Sequence, residues 1–332
     1  MVTQEFLKSQ TDISEWDNAK IVKALQKWKL TKEYGFSASQ FGSYRECPRK
    51  WALEKICKIK YPKTFLGTVL GNCIHDLLEN RYSNREGYDK LCALDDKELK
   101  KVIVNDVWFR INKEKKNGID LSWSEARYPD AKKHFAKGDW YTYLVEESAD
   151  RVVEWIRRAP WYFDAEAEKD FRFDDWGFPI RGRMDILGYN ESGAYVVADY
   201  KSTYSHGYFD AGKYDMQEAI YLEASDCIQC ELIVMTRMKR ADKDRVKVIT
   251  HNWTPEEMEA KKQEIIGIYN RIKQKQFAKK DAEDDFCSRV CGYRPLCFGE
   301  EAFDVSQDVI EGKQLVLESK EVGDDEEDFW QD

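Results

Sequence analysis

Apolar and polar positions change their period once along the chain, and that change divides it. Up to about residue 160 the apolar residues recur at helical spacing. In "KTFLGTVLGNCIHDLLENRY" (63–82) the stripe is Val69, Leu70, Cys73, Ile74, Leu77 and Leu78, which predicts a helix. His75 and Glu79 stand four apart on its flank. Residues 88–160 read as mostly helical and rich in Trp, Lys and Arg. From about 166 the pattern turns to β-branched and alternating: "EAEKDFRF", "PIRGRMDILGYN" and "AYVVADYKS" predict three strands. A helix follows at about 213–226, then strands in "CELIVMTRM" (230–238) and "RVKVITHNW" (245–253). "TPEEMEAKKQEIIGIYNRIKQKQ" opens a long helix, with Thr254 as N-cap, Pro255 at N1 and Glu257 completing a capping box. This order predicts a mixed α/β core of β-sheet flanked by helices, with 88–160 as a helical insertion.

One hairpin brings two acids together. "GRMDILGYN" and "AYVVADYKS" are joined by Glu191, Ser192 and Gly193, a three-residue loop with Gly at the left-handed position. That loop pairs Asn190 with Ala194, and the same count sets Asp185 opposite Asp199 and Arg183 opposite Lys201. Asp199 and Lys201 share one face of their strand and Tyr200 takes the other. Opposed carboxylates on a partly buried sheet repel and call for a stabiliser. A divalent cation such as Mg²⁺ or Mn²⁺ suits oxygen donors. Lys201 on the same face would then orient water or stabilise charge on a phosphate. A slip of one residue would send one aspartate to the other face, so the reading depends on register. Gln217 and Tyr221, four apart in "QEAIY", and His75 are further candidates, although such spacing also suits packing.

Charge modifies the picture. The 332-residue chain carries a net −9, but residues 301–332 alone hold twelve acids and two lysines, leaving the other 300 residues at +1. A near-neutral body can hold a local basic groove for phosphates. The segment "VGDDEEDFWQD" reads as a disordered acidic tail around Phe329 and Trp330. Its simplest role is solubility, and the sharper one is a peptide that docks a basic pocket on a partner or mimics DNA in the chain's own groove. Trp108, Arg110, Trp123, Trp140, Trp155, Arg157 and Arg158 are candidates for a stacking and phosphate-binding surface, or for core. No apolar run approaches a membrane span, and "MVTQEFLKSQTD" lacks the parts of a signal peptide. A cytoplasmic protein without membrane contact is expected. Its nine cysteines are then thiols or ligands rather than disulfides.

"FCSRVCGYRPLC" places Cys287, Cys291 and Cys297 close together. Three thiolates need a fourth ligand for Zn²⁺ or an iron–sulfur cluster. Cys47 in "RECPRK" is the first candidate and Cys57 the second. Cys73, Cys92, Cys227 and Cys230 read as small buried apolar groups.

Together these pieces resemble the RecB/AddB-like branch of the PD-(D/E)xK nuclease superfamily, and CRISPR adaptation nucleases, over about residues 36–300. "FSASQFGSYRECPRKWAL" is similar to the opening segment, "LGNCIH" to the histidine motif, "GRMD" and "DYKS" to the second and third motifs, and "QEAIY" to the fourth. The resemblance implies a restriction-endonuclease-like fold. Residues 1–35 would be an N-terminal helical segment and 36–300 the nuclease domain. Within that domain 286–298 would be a cysteine cluster closing with Cys47, and 301–332 a tail beyond it. It implies that His75, Asp185, Asp199 and the Tyr200 backbone carbonyl hold Mg²⁺ or Mn²⁺. Lys201 would position the nucleophile, with Gln217 and Tyr221 contacting the metal site, Lys201 or DNA. Either Glu166 or Glu168 would be an accessory acid. Cys47, Cys287, Cys291 and Cys297 would hold a 4Fe–4S cluster, with Zn²⁺ as the alternative. Three residues separate Cys287 from Cys291, where the family pattern has two. The implied activity is a DNA exonuclease of recombination, repair or replication, from a bacterium or its phage, acting on single strands or duplex ends, with a replication or recombination partner for the tail. The alternatives are a CRISPR adaptation nuclease and a non-catalytic DNA-end-binding protein that keeps the fold.

Overall fold

The computed structural model describes residues 19–30, 34–59, 63–116, 120–122, 140–203, 209–236, 246–284, 286–287 and 291–298. The chain divides into two compact units. One takes Met1–Tyr61, Arg172–Gly182 and Glu259–Asp332, the other Pro62–Phe171 and Arg183–Met258. The acidic tail, Trp123 and residues 1–18 lie outside the described residues.

The second unit is built on a mixed sheet of five strands in the order β3-β4-β5-β6-β7. These are β3 (Phe163–Phe173), β4 (Ile180–Tyr189), β5 (Tyr195–Thr203), β6 (Gln229–Thr236) and β7 (Val246–Asn252). β4–β5 and β6–β7 are antiparallel, whereas β5–β6 is parallel. A parallel neighbour needs a crossover, supplied by α8 (Asp215–Ser225) after a 3₁₀ turn at Ala211–Lys213. The five strands predicted from period-two patterning all form. Residues 63–65 are an exception to the predicted helix. They make the short strand β1, paired in parallel with β2 (Asp120–Ser122), before α4 (Leu66–Ser83) begins.

Helix α4, α5 (Arg85–Ala93), α6 (Asp96–Lys116) and α7 (Trp140–Arg158) fill most of the stretch up to the first sheet strand. Their apolar faces and one face of the sheet make a single buried cluster. Leu70, Ile74 and Leu78 of α4, Ile103 of α6 and Trp155 of α7 join Ile186, Ala198, Tyr200 and Ile233. The block expected as an insertion therefore packs into the core that supports the sheet. Several of its charged and aromatic residues are committed to that packing. Trp155 is fully buried and presents no stacking face. Arg110 is paired with Asp76 at 2.7 Å and Asp106 at 2.8 Å. Arg157 donates to the carbonyls of Cys92 and Leu94 at 2.6 Å.

The β4–β5 turn follows the predicted chemistry. Asn190 N donates to Ala194 O at 2.9 Å, and Asn190 Oδ1 accepts from Ala194 N at 3.0 Å. Gly193 sits at φ +80°, the left-handed region open to glycine. Tyr189 pairs with Tyr195 and Ile186 with Ala198, the register the loop length implies.

In the first unit α1 (Ala19–Lys27), α2 (Ala38–Glu46), α3 (Pro48–Lys55) and the later part of α9 (Pro255–Lys273) enclose an aromatic core. Trp51 stacks on Phe277 at 5.8 Å and Phe178 on Tyr269 at 4.0 Å. The predicted capping box of α9 forms reciprocally: Thr254 N donates to Glu257 Oε2 at 2.8 Å and Glu257 N to Thr254 Oγ1 at 3.2 Å.

Candidate active site

Continuing the β4–β5 register one step past Ile186–Ala198 sets Asp185 opposite Asp199. The two strands do not carry on as an ordinary ladder there. Asp185 Oδ2 instead accepts the backbone N–H of Tyr200 at 2.9 Å. The carboxylate thus takes a donor that would otherwise serve the sheet. His75 arrives from α4 and places Nδ1 3.2 Å from the same Asp185 oxygen.

Across β5, helix α8 presents Gln217 and Tyr221 to the same group. Gln217 Nε2 donates to Asp199 Oδ1 at 3.0 Å, and Gln217 Oε1 accepts from Lys201 Nζ at 3.1 Å. Tyr221 OH lies 2.7 Å from Gln217 Nε2 and donates to the carbonyl of Arg183 at 2.7 Å. Lys201 Nζ forms an ion pair with Asp199 Oδ2. The structure therefore brings His75, Asp185, Asp199, Lys201, Gln217 and Tyr221 into one connected group. The Tyr200 backbone lies between Asp199 and Lys201.

Burial sets the electrostatics. Asp199 is 4 % exposed. Burial and the neighbouring Asp185 push its carboxyl up to about 6, with Lys201 and His75 opposing. Burial also pushes Asp185 up, but the His75 imidazole, Lys201 and the Tyr200 N–H outweigh it and hold this carboxyl below its ordinary value. Burial would lower Lys201, yet Asp199 and Asp185 raise it on balance. His75 is likewise raised, burial being overcome by Asp185 and Asp199. Two close carboxylates whose titrations are driven apart, with Lys201 beside one and His75 beside the other, form a site that responds strongly to added charge.

The donor set suits a hard divalent cation: two carboxylates, one imidazole and a backbone carbonyl. In the structure as it stands Lys201 pairs with Asp199, and His75 Nδ1 faces Asp185. Among the described residues no three His, Cys, Asp or Glu side chains converge tightly enough to hold a metal ion. Burial, then Asp185, push the Asp199 carboxyl up to about 6, and a bound cation would favour its ionised form. On that ground the residues fit.

Three features escaped the sequence reading. Tyr214, just before α8, lays its ring 4.6 Å from Lys201 Nζ and is itself stacked on Phe209 at 5.5 Å. Arg183 pairs with Glu168 at 3.1 Å and Asp170 at 2.8 Å. That pairing separates the two accessory candidates. Glu168 neighbours Arg183 and acts electrostatically on Tyr221 and Glu79, whereas Glu166 pairs with Lys169 at 2.7 Å. Glu168 also sits at φ +50°, a left-handed position inside a strand that locally re-aims its side chain. Neither a ring over an ammonium across a loop nor a kinked strand leaves a periodic mark in sequence.

The cysteines gather in the first unit. Cys47 caps α3, its Sγ accepting from Lys50 N at 3.5 Å. Cys287 feels Cys47, and Cys291 and Cys297 each feel Cys47 and Cys287. Burial, then these neighbours, push Cys291 up to about 11, while burial, opposed by Arg49, pushes Cys297 up to about 12. Lys280 and Arg294 act in the opposite sense on Cys287 and Lys50 on Cys291. Cys47, Cys287, Cys291 and Cys297 thus act electrostatically on one another, although among the described residues no three of them converge tightly enough to hold a metal ion. Cys57, the second candidate for a fourth ligand, is pushed up to about 12 by burial alone.

The sequence profile of the PD-(D/E)XK nuclease superfamily matches residues 35–298. Among solved structures, the protein SSO0001 is 15% identical over 90% of this chain and 97% of its own, with a TM-score of 0.38. A protein of Eubacterium rectale is 13% identical over 79% and 94%, at 0.41. A phage related exonuclease from Haemophilus somnus 129PT is 18% identical over 46% and 80%, at 0.25. Likeness at this level carries no functional argument. A search of curated proteins returned no match.

Proposed function

Because the chain belongs to the PD-(D/E)XK nuclease superfamily, we propose that it is a divalent-metal-dependent DNA exonuclease of recombination, repair or replication. The carrying observation is the opposed Asp185–Asp199 pair, with Lys201 on Asp199 and Gln217 bridging the two. His75, Asp185, Asp199 and the Tyr200 carbonyl would hold Mg²⁺ or Mn²⁺. When bound, such an ion polarises a phosphoryl oxygen and acidifies water.

The protein's own groups do the rest. Lys201, held protonated by the two aspartates, donates hydrogen bonds to the attacking water and offsets charge on the transferring phosphoryl group. Gln217 keeps Lys201 in line with Asp199, and Tyr221 fixes Gln217 against the Arg183 carbonyl. His75 fixes the orientation of Asp185. The balance is hydrolytic: water oxygen bonds to phosphorus, the P–O bond to the leaving strand breaks, and the proton passes to solvent or the leaving oxygen.

Cys47, Cys287, Cys291 and Cys297 would hold a structural 4Fe–4S cluster, or Zn²⁺ in its place, within the first unit. That pattern supports the RecB/AddB-like reading. Among the described residues no helix is long and apolar enough to cross a membrane. The test is a timed digest of linear and covalently closed circular DNA with Mg²⁺, Mn²⁺ or chelator. An exonuclease shortens linear ends only, and only with metal. Cutting of closed circles at the linear rate contradicts the exonuclease assignment.

A further inference from the structure

Beside Trp161 a recess of about 500 Å³ opens between the end of α4 and the start of β3. Tyr82, Arg85, Trp161, Phe163 and Asp164 line it. We propose that this recess is a nucleobase-stacking subsite for a single strand threaded toward the carboxylate pair; the proposal rests on the nuclease reading above.

Hydrogen bonds and ring contacts build the walls of the recess. Arg81 lies 4.1 Å from the Trp161 ring centroid and is pinned beneath it by Tyr88 OH and by the carbonyls of Ile156, Ala159 and Pro160. Arg85 places its guanidinium 4.5 Å from the same ring and is steadied by Asp89 at 3.0 Å. Its side chain remains 58% exposed, so it can accept a phosphate at the rim. Phe163 is 57% exposed at the lip. An exposed aromatic face beside an exposed guanidinium is the pairing that binds a base and its phosphate.

Its place in the fold joins it to the catalytic group. His75, Glu79 and Tyr82 follow one stripe of α4 at i, i+4 and i+7. Tyr82 is thus about 10 Å beyond His75 at ~1.5 Å per residue. On β3, Phe163 precedes Glu168 by five residues, about 16 Å at ~3.3 Å each. Both routes correspond to roughly three to five nucleotides at ~3.4 Å per stacked base. The charges along the way select how the strand lies. Glu79 and Asp164 border the path, so neutral base faces rather than phosphates must turn toward it. A duplex, with phosphates on both edges, is poorly matched.

The test is calorimetric binding of unlabelled oligothymidylates of two to twelve nucleotides to the full chain in chelator. Wild-type affinity should step up once the oligomer exceeds about five nucleotides. Phe163→Ala should abolish the step and weaken long oligomers about tenfold, the scale of one lost stack, without altering dinucleotide affinity. Phe163→Tyr should restore it, and Arg85→Ala should weaken long oligomers with a shallower salt dependence. Unchanged length dependence in Phe163→Ala overturns the proposal, as does a Phe163→Tyr protein as weak as Phe163→Ala. Because binding is read without metal, a protein that shows the step yet never cleaves DNA defeats the nuclease reading alone. One that cleaves without the step defeats the subsite alone.

Discussion

Gln217 Oε1 accepts a hydrogen bond from Lys201 Nζ at 3.1 Å while the other end of the same amide donates to Asp199. Only a side chain with both an acceptor and a donor can hold an ammonium and a carboxylate in one geometry. Gln217→Ala should lower kcat on the order of 10- to 100-fold with little change in KM, the cost typical of groups that orient a ligand shell. Gln217→Glu should be worse near neutral pH, since it sets a third carboxylate beside Asp199. It should recover in part as the pH falls and the new carboxyl can donate. Steady-state cleavage of both variants across pH measures this.

Tyr214 lays its ring 4.6 Å from Lys201 Nζ. A ring facing an ammonium contributes about 0.5–2 kcal/mol. Tyr214→Phe should keep near wild-type kcat, whereas Tyr214→Leu should lose roughly 3- to 30-fold. Equal losses in the two would mean the hydroxyl is what matters.

The Asp199 carboxyl, pushed up to about 6 by burial and Asp185, sets a pH signature. A carboxyl whose folded value is raised stabilises the fold fully below its unfolded value near ~3.9. That contribution fades as pH rises through about 6. In metal-free protein, carbon-13 NMR of Asp199 should show titration near 6, and Mg²⁺ should drive it downward. A titration unmoved by Mg²⁺ would remove Asp199 from the metal site.

The hairpin was legible because local chemistry fixes it. A loop of Glu191, Ser192 and Gly193 allows few registers, and Asn190 supplies the turn's own hydrogen bonds. The α9 cap was legible for the same reason. Tyr214, Arg183 and the kink at Glu168 were not, because each depends on where separate segments meet in space. The 63–65 stretch shows the converse. Lys63, Thr64 and Phe65 lie ahead of the helical stripe that starts at Val69, and pairing with residues 120–122 makes them a strand. The Trp and Arg residues of 108–158 had the composition of a nucleic-acid surface, but Trp155 and Arg110 are spent on packing and ion pairs.

The cysteine group predicts a metal-dependent stability. Cys47→Ser or Cys297→Ser should strip bound metal and lower Tm, because the ligands close a loop of some 240 residues. Cys57→Ala should keep the metal and lose only packing, about 1 kcal/mol. Elemental analysis after anaerobic purification reads both: iron with matching sulfide indicates the cluster, zinc alone the alternative.

Central to the account is that Asp185, Asp199 and Lys201 form one phosphodiester-cleaving group. The direct measurement is single-turnover digestion of end-labelled linear DNA by wild type, Asp199→Asn and Lys201→Ala with Mg²⁺, each first shown to be folded. The account predicts rates roughly a hundred- to a thousandfold lower in both variants, the scale of a lost charge-stabilising group, with DNA binding in chelator retained. Wild-type rates in either variant would contradict it.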